Sequence, residues 1–105
     1  MSQFTPVFLL INLPPDTLRR VEIKNLKIVV ARTDDGIYAL EDRCSHEDYN
    51  LSDGWIEEKT LCCPMHGAKF NLKTGQPETP PAHEPIKTFP VQVKNGVVEI
   101  DIEQE

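Results

Sequence analysis

Two short motifs constrain this 105-residue chain more than any other feature: Cys44-Ser-His46 and Cys63-Pro-Met-His66, with sixteen residues between them. Together they supply two thiolates and two imidazoles, enough for one four-coordinate metal site or for a two-iron cluster. Sulfur and imidazole ligands favour zinc, copper or iron–sulfur, whereas magnesium and calcium require oxygen ligands. The motif pair therefore predicts a bound metal centre.

The motif pair resembles that of the Rieske-type ferredoxins. In that family a C-x-H loop and a C-x-x-H loop hold a [2Fe–2S] cluster between their tips, and a third, proline-containing loop covers it. The matching segments are Cys44-Ser-His46, Cys63-Pro-Met-His-Gly-Ala-Lys-Phe70 and the proline-rich stretch 77–85. The resemblance implies one [2Fe–2S] cluster per chain, in which Cys44 and Cys63 bind one iron and His46 and His66 bind the other.

Two departures separate the chain from the respiratory-complex branch of that family. The positions of that branch's extra disulfide are Tyr49 and Met65 here, so the bridge cannot form. Ala68 and Phe70 replace a serine and a tyrosine whose hydroxyls donate hydrogen bonds to cluster and ligand sulfur. Loss of such donors lowers the potential, so we expect a value near the lower end of roughly −150 to +300 mV.

The rest of the chain predicts an all-β fold in a single domain, residues 1–105. Apolar, β-branched or alternating runs are interrupted by turn signals, of which Asp34-Asp35-Gly36 and Lys94-Asn95-Gly96 are the strongest. The expected strands are 6–11, 18–23, 26–33, 37–40, 55–56, 60–62, 69–72, 89–93 and 97–102. No window shows helical periodicity, although residues 45–52 could hold one helical turn.

These strands predict a small antiparallel β-sandwich or barrel. A cluster-binding lobe, about residues 43–83, is expected as an insertion between the N-terminal and C-terminal strands. Adjacent residues of an extended segment point to opposite faces, so only one of Cys62 and Cys63 can face the cluster. The C-P-x-H-G match selects Cys63, and we expect Cys62 to be a core thiol. Trp55 is also expected in the core.

Composition narrows the function classes. Seventeen acidic and eleven basic residues give a net charge of −6, so no basic stripe exists for nucleic acid. The apolar stretch 6–13 is too short to cross a bilayer, and it lacks a basic leader. With an odd number of cysteines as well, we expect a cytoplasmic protein, and we take it to be a monomer.

The resemblance implies a one-electron carrier. It would take electrons from a flavin-dependent ferredoxin reductase and deliver them to a terminal oxygenase that hydroxylates aromatic rings in aromatic hydrocarbon catabolism. The chain is not expected to be an enzyme itself. The mononuclear iron of such oxygenases uses two histidines and a carboxylate, whereas this chain has three histidines, two of them assigned to the cluster.

Two other functions remain open from the sequence. The chain could be the small Rieske-type subunit of an assimilatory nitrite reductase, a fixed module rather than a diffusing carrier. From another class, it could be a structural zinc module with Cys₂His₂ ligands. Zinc fingers usually place their histidines on a helix, and no helix is evident in this sequence.

The surface for partner docking is predicted at the cluster tip. We expect the edges of His46 and His66 to lie there with Met65, Pro81 and Ala82 in a small apolar cap. The surrounding acidic residues are Glu47, Asp48, Glu78 and Glu84. An acidic surface could steer a basic partner into contact, although charge of this size also serves solubility alone.

Overall fold

The computed structural model describes residues 4–43, 50–64, 68–78 and 85–102. Within these ranges the regular structure is all-β, and every strand pair is antiparallel, as predicted. The strands are β1 (Phe4–Leu9), β2 (Thr17–Ile23), β3 (Leu26–Thr33), β4 (Gly36–Glu41), β5 (Trp55–Glu57), β6 (Thr60–Cys62), β7 (Lys69–Asn71), β8 (Thr88–Phe89), β9 (Val91–Lys94) and β10 (Val97–Asp101). Single 3₁₀ turns span Leu10–Asn12 and Leu51–Asp53, and no described helix is long and apolar enough to span a membrane.

The strands form three sheets. Sheet A has the order β1-β10-β9, sheet B the order β2-β3-β4-β8, and sheet C the order β5-β6-β7. Strand β8 forms one edge of sheet B by pairing with β4, and in this pair Ala39 lies opposite Phe89. The chain between these two strands contains sheet C, so sheet C is an excursion from the edge of sheet B.

Strand β3 explains why sheet B lies between the other two sheets. Its run Ile28-Val-Val-Ala31 is apolar at every position, and all four side chains are buried. Because successive side chains of a strand point to opposite faces, both faces of β3 are covered. Ile28 and Val30 pack in one apolar cluster and Val29 and Ala31 in another.

We call these clusters the base core and the lobe core. The base core lies between sheets A and B and contains Leu13, Ile28, Val30, Ala39, Phe89, Ile100 and Ile102. The lobe core lies between sheets B and C and contains Val29, Ala31, Leu40, Leu51, Leu61, Cys63, Ala68, Phe70, Leu72 and Ile86.

The predicted strand 89–93 is in fact two strands, separated at Pro90. Phe89 pairs with sheet B, whereas Val91 begins the pairing with β10 in sheet A. Proline has no N–H to donate to a ladder, so it suits the point where the chain leaves one sheet for another. The predicted strand 6–11 likewise begins earlier, at Phe4, and ends at Leu9, where a 3₁₀ turn starts.

The expectation that Trp55 is a core residue is wrong. Its side chain is 45% exposed, and its indole N–H donates to Glu57 Oε2 at 3.3 Å. In strand β5 the alternation places Ile56 against the lobe core, which leaves Trp55 and Glu57 on the outer face of sheet C. A strand of three residues is too short for the alternation of its side chains to show from the sequence which face is buried.

Gly75 is required by a close backbone approach to Ile86. Its φ is +76°, the Ile86 N–H donates to its carbonyl at 2.9 Å, and an added Cβ would lie 2.1 Å from the Ile86 carbonyl oxygen. Gly96 has nearly the same φ, +78°, but nothing lies within 4 Å of its added Cβ. Both glycines therefore have a positive φ that other residues rarely adopt, but only Gly75 also lacks room for a side chain.

We predict that Gly75→Ala lowers the thermal unfolding midpoint at least twice as far as Gly96→Ala. The Gly96 variant should lose about 1 kcal/mol from its left-handed backbone, a fall of about 4–8 °C for a domain of this size. The Gly75 variant must also displace the backbone at Ile86. Equal midpoints, measured by circular dichroism, would show that this approach relaxes freely.

Candidate metal centre

The segment with the first predicted ligand pair is held at both ends by Asp42 and Ser52. Asp42 is 2% exposed, and its carboxylate accepts from the backbone N–H and the hydroxyl of Ser52, each at 2.7 Å. The Asp42 N–H donates to the Lys27 carbonyl at 2.9 Å, which fixes it to sheet B. Cys44 and His46 lie between these anchors, outside the described residues.

The second ligand segment leaves and re-enters the lobe core at Cys63 and Ala68. Both residues are 0% exposed, and the Cys63 N–H donates to the Ala68 carbonyl at 2.7 Å. This bond joins the two described residues on either side of segment 64–67, directly after strand β6. Met65, His66 and Gly67 belong to that segment and lie outside the described residues.

Cys62 and Cys63 occupy different environments, as their adjacency in the sequence predicted. By register, Cys62 shares the outer face of sheet C with Trp55 and Lys69, and its Sγ lies 3.9 Å from Thr60 Oγ1. Cys63 instead packs in the lobe core. Burial raises the pKa of the Cys62 thiol, which keeps it protonated at neutral pH. Cys62 is therefore buried as expected, but on the outer face and not in the lobe core.

The proline-rich segment is also held at both of its ends. The Glu78 N–H donates to the Lys69 carbonyl at 2.8 Å, and Pro77 forms a bridge with Phe70, so the segment departs along strand β7. It returns at Ile86, which is 4% exposed and belongs to the lobe core. Pro81, Ala82 and His83 lie outside the described residues.

The three segments therefore begin or end at one place. Leu51 follows the first segment, Cys63 and Ala68 flank the second, and Ile86 follows the third; all four are members of the lobe core. These residues are far apart in the sequence, and packing on sheet B brings them together. The fold thus gathers the ends of every segment that carries a predicted ligand or the predicted cover.

The donor set suits an iron–sulfur cluster. Cys63 lies among apolar side chains, where an uncompensated thiolate would be costly and a metal ion would stabilise it. Among the described residues no three histidine, cysteine or acidic side chains lie together as a metal site. Cys63 is described, and the other three predicted ligands lie outside the described residues.

The outer face of sheet C carries a small polar network beside the second ligand segment. Lys69 Nζ lies 2.6 Å from Glu57 Oε1, and Trp55 donates to the other oxygen of the same carboxylate. The hydrogen bond from Lys69 lowers the pKa of Glu57. These contacts connect β5 with β7 on the outer face.

The far end of sheet C is tied to sheet B by Asp35. Its carboxylate accepts from the Thr33 hydroxyl at 2.5 Å and from the Tyr38 hydroxyl at 3.1 Å, and it pairs with Lys59 Nζ at 3.0 Å. The hydrogen bonds from Thr33 and Lys59 hold the pKa of Asp35 well below its usual range. Lys59 is in the β5–β6 turn, so this contact lies at the opposite end of β6 from Cys63.

Sequence reasoning missed both carboxylates that position the lobe. Asp35 was assigned only to a hairpin turn, and Asp42 was given no role. The position of Asp42 between strand β4 and the first ligand motif is visible in the sequence, but its burial is not. Its partner Ser52, ten residues away, offered no signal in the sequence.

Comparisons with known proteins agree with this geometry. Residues 3–90 match the family model for the Rieske [2Fe–2S] domain. The chain is 39% identical over 94 residues to the 3-phenylpropionate/cinnamic acid dioxygenase ferredoxin subunit of Photorhabdus laumondii, covering 89% of each protein. It is 39% identical over 88 residues to Ferredoxin CarAc of Metapseudomonas resinovorans, covering 83% of this chain and 82% of that one.

Solved structures lead to the same family. A chain in the complex of reduced oxygenase and oxidized ferredoxin in carbazole 1,9a-dioxygenase superimposes with a TM-score of 0.91 at 34% identity, covering 100% of this chain and 98% of that one. The ferredoxin of carbazole 1,9a-dioxygenase from Nocardioides aromaticivorans gives 0.90 at 26% identity, with 95% and 98% covered. The protein belongs to the Rieske [2Fe–2S] domain family and is an electron-transfer component, not itself an enzyme, that carries a [2Fe–2S] cluster.

Proposed function

We propose that this protein carries single electrons from a flavin-dependent reductase to a terminal aromatic-ring-hydroxylating oxygenase, with Cys44, His46, Cys63 and His66 as the cluster ligands. The observation that carries the ligand assignment is the convergence of the three segment ends in the lobe core. Relatives named as ferredoxin subunits of dioxygenases support the pathway.

When bound, the cluster supplies a centre that accepts and releases one electron. The described residues control its surroundings. Cys63, Ala68 and Phe70 are wholly buried, so they keep water from that side of the second segment. Ala68 and Phe70 carry no hydroxyl that could stabilise the extra negative charge of a reduced state, which supports a low potential.

The two alternative functions have less support. The relatives with the strongest similarity described above are ferredoxins of dioxygenase systems, and a nitrite reductase subunit is not favoured by them. A structural zinc module does not fit a chain whose family is defined by a [2Fe–2S] domain. The carrier role suits a cytoplasmic monomer, because a carrier must diffuse between two partners.

The docking cap is proposed at His46, His66, Met65, Pro81 and Ala82, all outside the described residues. One member of its acidic surround is described: Glu78 is exposed, and its carboxylate accepts from Asn71 Nδ2 at 2.9 Å. A transient redox contact buries on the order of 1,200 Å² or less. A small apolar cap with acidic surroundings would suit a basic site on the oxygenase.

Cys63→Ser should abolish the cluster, whereas Cys62→Ser should retain it. Both cysteines are buried neighbours, so the pair is a matched test of which one binds iron. We expect the Cys62 variant to keep two irons, two acid-labile sulfides and the paramagnetic signal of the reduced cluster. Loss of iron from the Cys62 variant and retention by the Cys63 variant would reverse the assignment.

Replacing His66 by cysteine should lower the reduction potential. A thiolate in place of neutral imidazole makes the cluster more negative, so adding an electron costs more. The expected fall is roughly 200 mV or more, by comparison of Rieske with all-cysteine clusters. Protein-film voltammetry measures it, and an unchanged potential in a cluster-containing variant would show that His66 is not a ligand.

Raising the ionic strength should slow electron delivery to the oxygenase, because salt screens the attraction of the acidic surround for a basic partner. Glu78→Gln should weaken this salt dependence, whereas Glu58→Gln, in the β5–β6 turn, should leave it unchanged. Stopped-flow oxidation of the reduced protein provides the rates. Rates that do not respond to salt would assign the net negative charge to solubility alone.

A further inference from the structure

A basic groove interrupts the acidic surface of this protein. It has a volume of about 320 Å³, and the exposed cations Lys27, Arg43 and Lys87 line it. Three of the eleven basic residues thus line one concavity in a chain whose net charge is −6.

The fold places these three cations together by pairing strand ends. The Asp42 N–H donates to the Lys27 carbonyl at 2.9 Å, and the Glu41 N–H donates to the Lys87 carbonyl at 2.8 Å. Residues 41–43 therefore run between the other two backbone segments. Arg43 immediately precedes Cys44, so the groove borders the first predicted ligand segment.

Carboxylates line the groove as well as cations. Glu41 and Asp42 stand against Lys27, Arg43 and Lys87, so the charged residues of the lining sum to +1. The Asp42 carboxylate also accepts two hydrogen bonds from Ser52, and the ion pairs Lys59–Asp35 and Lys69–Glu57 lie away from the groove. The groove therefore presents an excess of positive charge to a partner.

The groove also has an apolar border. Leu26 lines it and is 40% exposed, and the buried Phe89 also lines it. Lys87 Nζ is 5.3 Å from the centroid of the Phe89 ring, a distance at which the ring attracts the ammonium group. A partner could thus bury Leu26 while its carboxylates meet the cations.

We propose that this basic groove docks a carboxylate-bearing segment of the electron-donating reductase. The inference rests on the proposed carrier function, because it assumes two redox partners. The acidic surround of the docking cap suits a basic oxygenase, and the groove has the opposite charge. Surfaces of opposite sign would let one small carrier distinguish its donor from its acceptor.

The test neutralises the groove and compares a matched surface. Lys27→Gln/Lys87→Gln removes two positive charges from the groove, and Lys73→Gln/Lys94→Gln removes two from exposed positions outside it. Each holoprotein is reduced by its cognate flavin-dependent reductase with NADH at low salt, and cluster bleaching is followed. We expect the groove variant to raise the KM for the ferredoxin roughly fivefold, with kcat and the dithionite-reduced spectrum unchanged and the control variant like wild type.

Three results would overturn the inference. An unchanged KM in the groove variant would show that the groove makes no contact with the reductase. An equal rise in both double variants would assign the effect to net charge. A defect confined to delivery from the reduced protein to the oxygenase would assign the groove to the acceptor. By contrast, wild-type protein that holds its cluster but accepts no electrons from the reductase would refute the proposed function, and the groove inference with it.

Discussion

Packing of the lobe core is the interaction on which the rest of this structure depends. Leu51, Cys63, Ala68 and Ile86 come from separate parts of the chain, and each lies next to a segment with a proposed part in the cluster site. An apolar core has no directional bonds of its own, so its members are positioned by close packing against neighbours. The positions of the proposed ligand segments therefore depend on how sheet C packs on sheet B, and we expect a cavity in that interface to displace them.

Polar contacts hold that interface at its two ends. Asp35 and Lys59 join the β3–β4 turn to the β5–β6 turn at one end, and Asp42 with Ser52 closes the first ligand segment at the other. The first pair is partly exposed, so its contribution to stability is small. This pair instead helps to set the position of sheet C on sheet B, because it joins the β5–β6 turn to the β3–β4 turn. Asp42 is buried and accepts two hydrogen bonds, so it is the stronger constraint. Rigid anchors of this kind hold metal ligands in place when the charge of a bound cluster changes.

The sequence predicted the parts of this structure that depend on local pattern. Strand β3, with its continuous apolar run, and the Asn-Gly turn after β9 were identified because β-branched runs and turn residues act within a few positions. The division at Pro90 was missed because it is decided by which sheet each short segment joins, and the exposure of Trp55 because it is decided by which face of a three-residue strand is buried. The Asp42–Ser52 contact was missed because its two residues are ten positions apart in the sequence. The ligand motifs were identifiable because metal chemistry limits both residue type and spacing, whereas a buried hydrogen bond between distant residues leaves no such mark.

The charges of this protein affect docking in two ways, at long range and at close contact. The net negative charge governs long-range encounter, which is screened beyond about 8–10 Å at physiological salt. Local groups decide orientation once the proteins are close, and we propose that here they are the acidic surround of the docking cap and the basic groove. A uniformly acidic carrier would attract basic partners in many orientations, most of them unproductive for electron transfer. The groove breaks that uniformity on one side of the molecule. Because Arg43, one of its lining residues, directly precedes Cys44, a partner docked there would have a defined direction of approach.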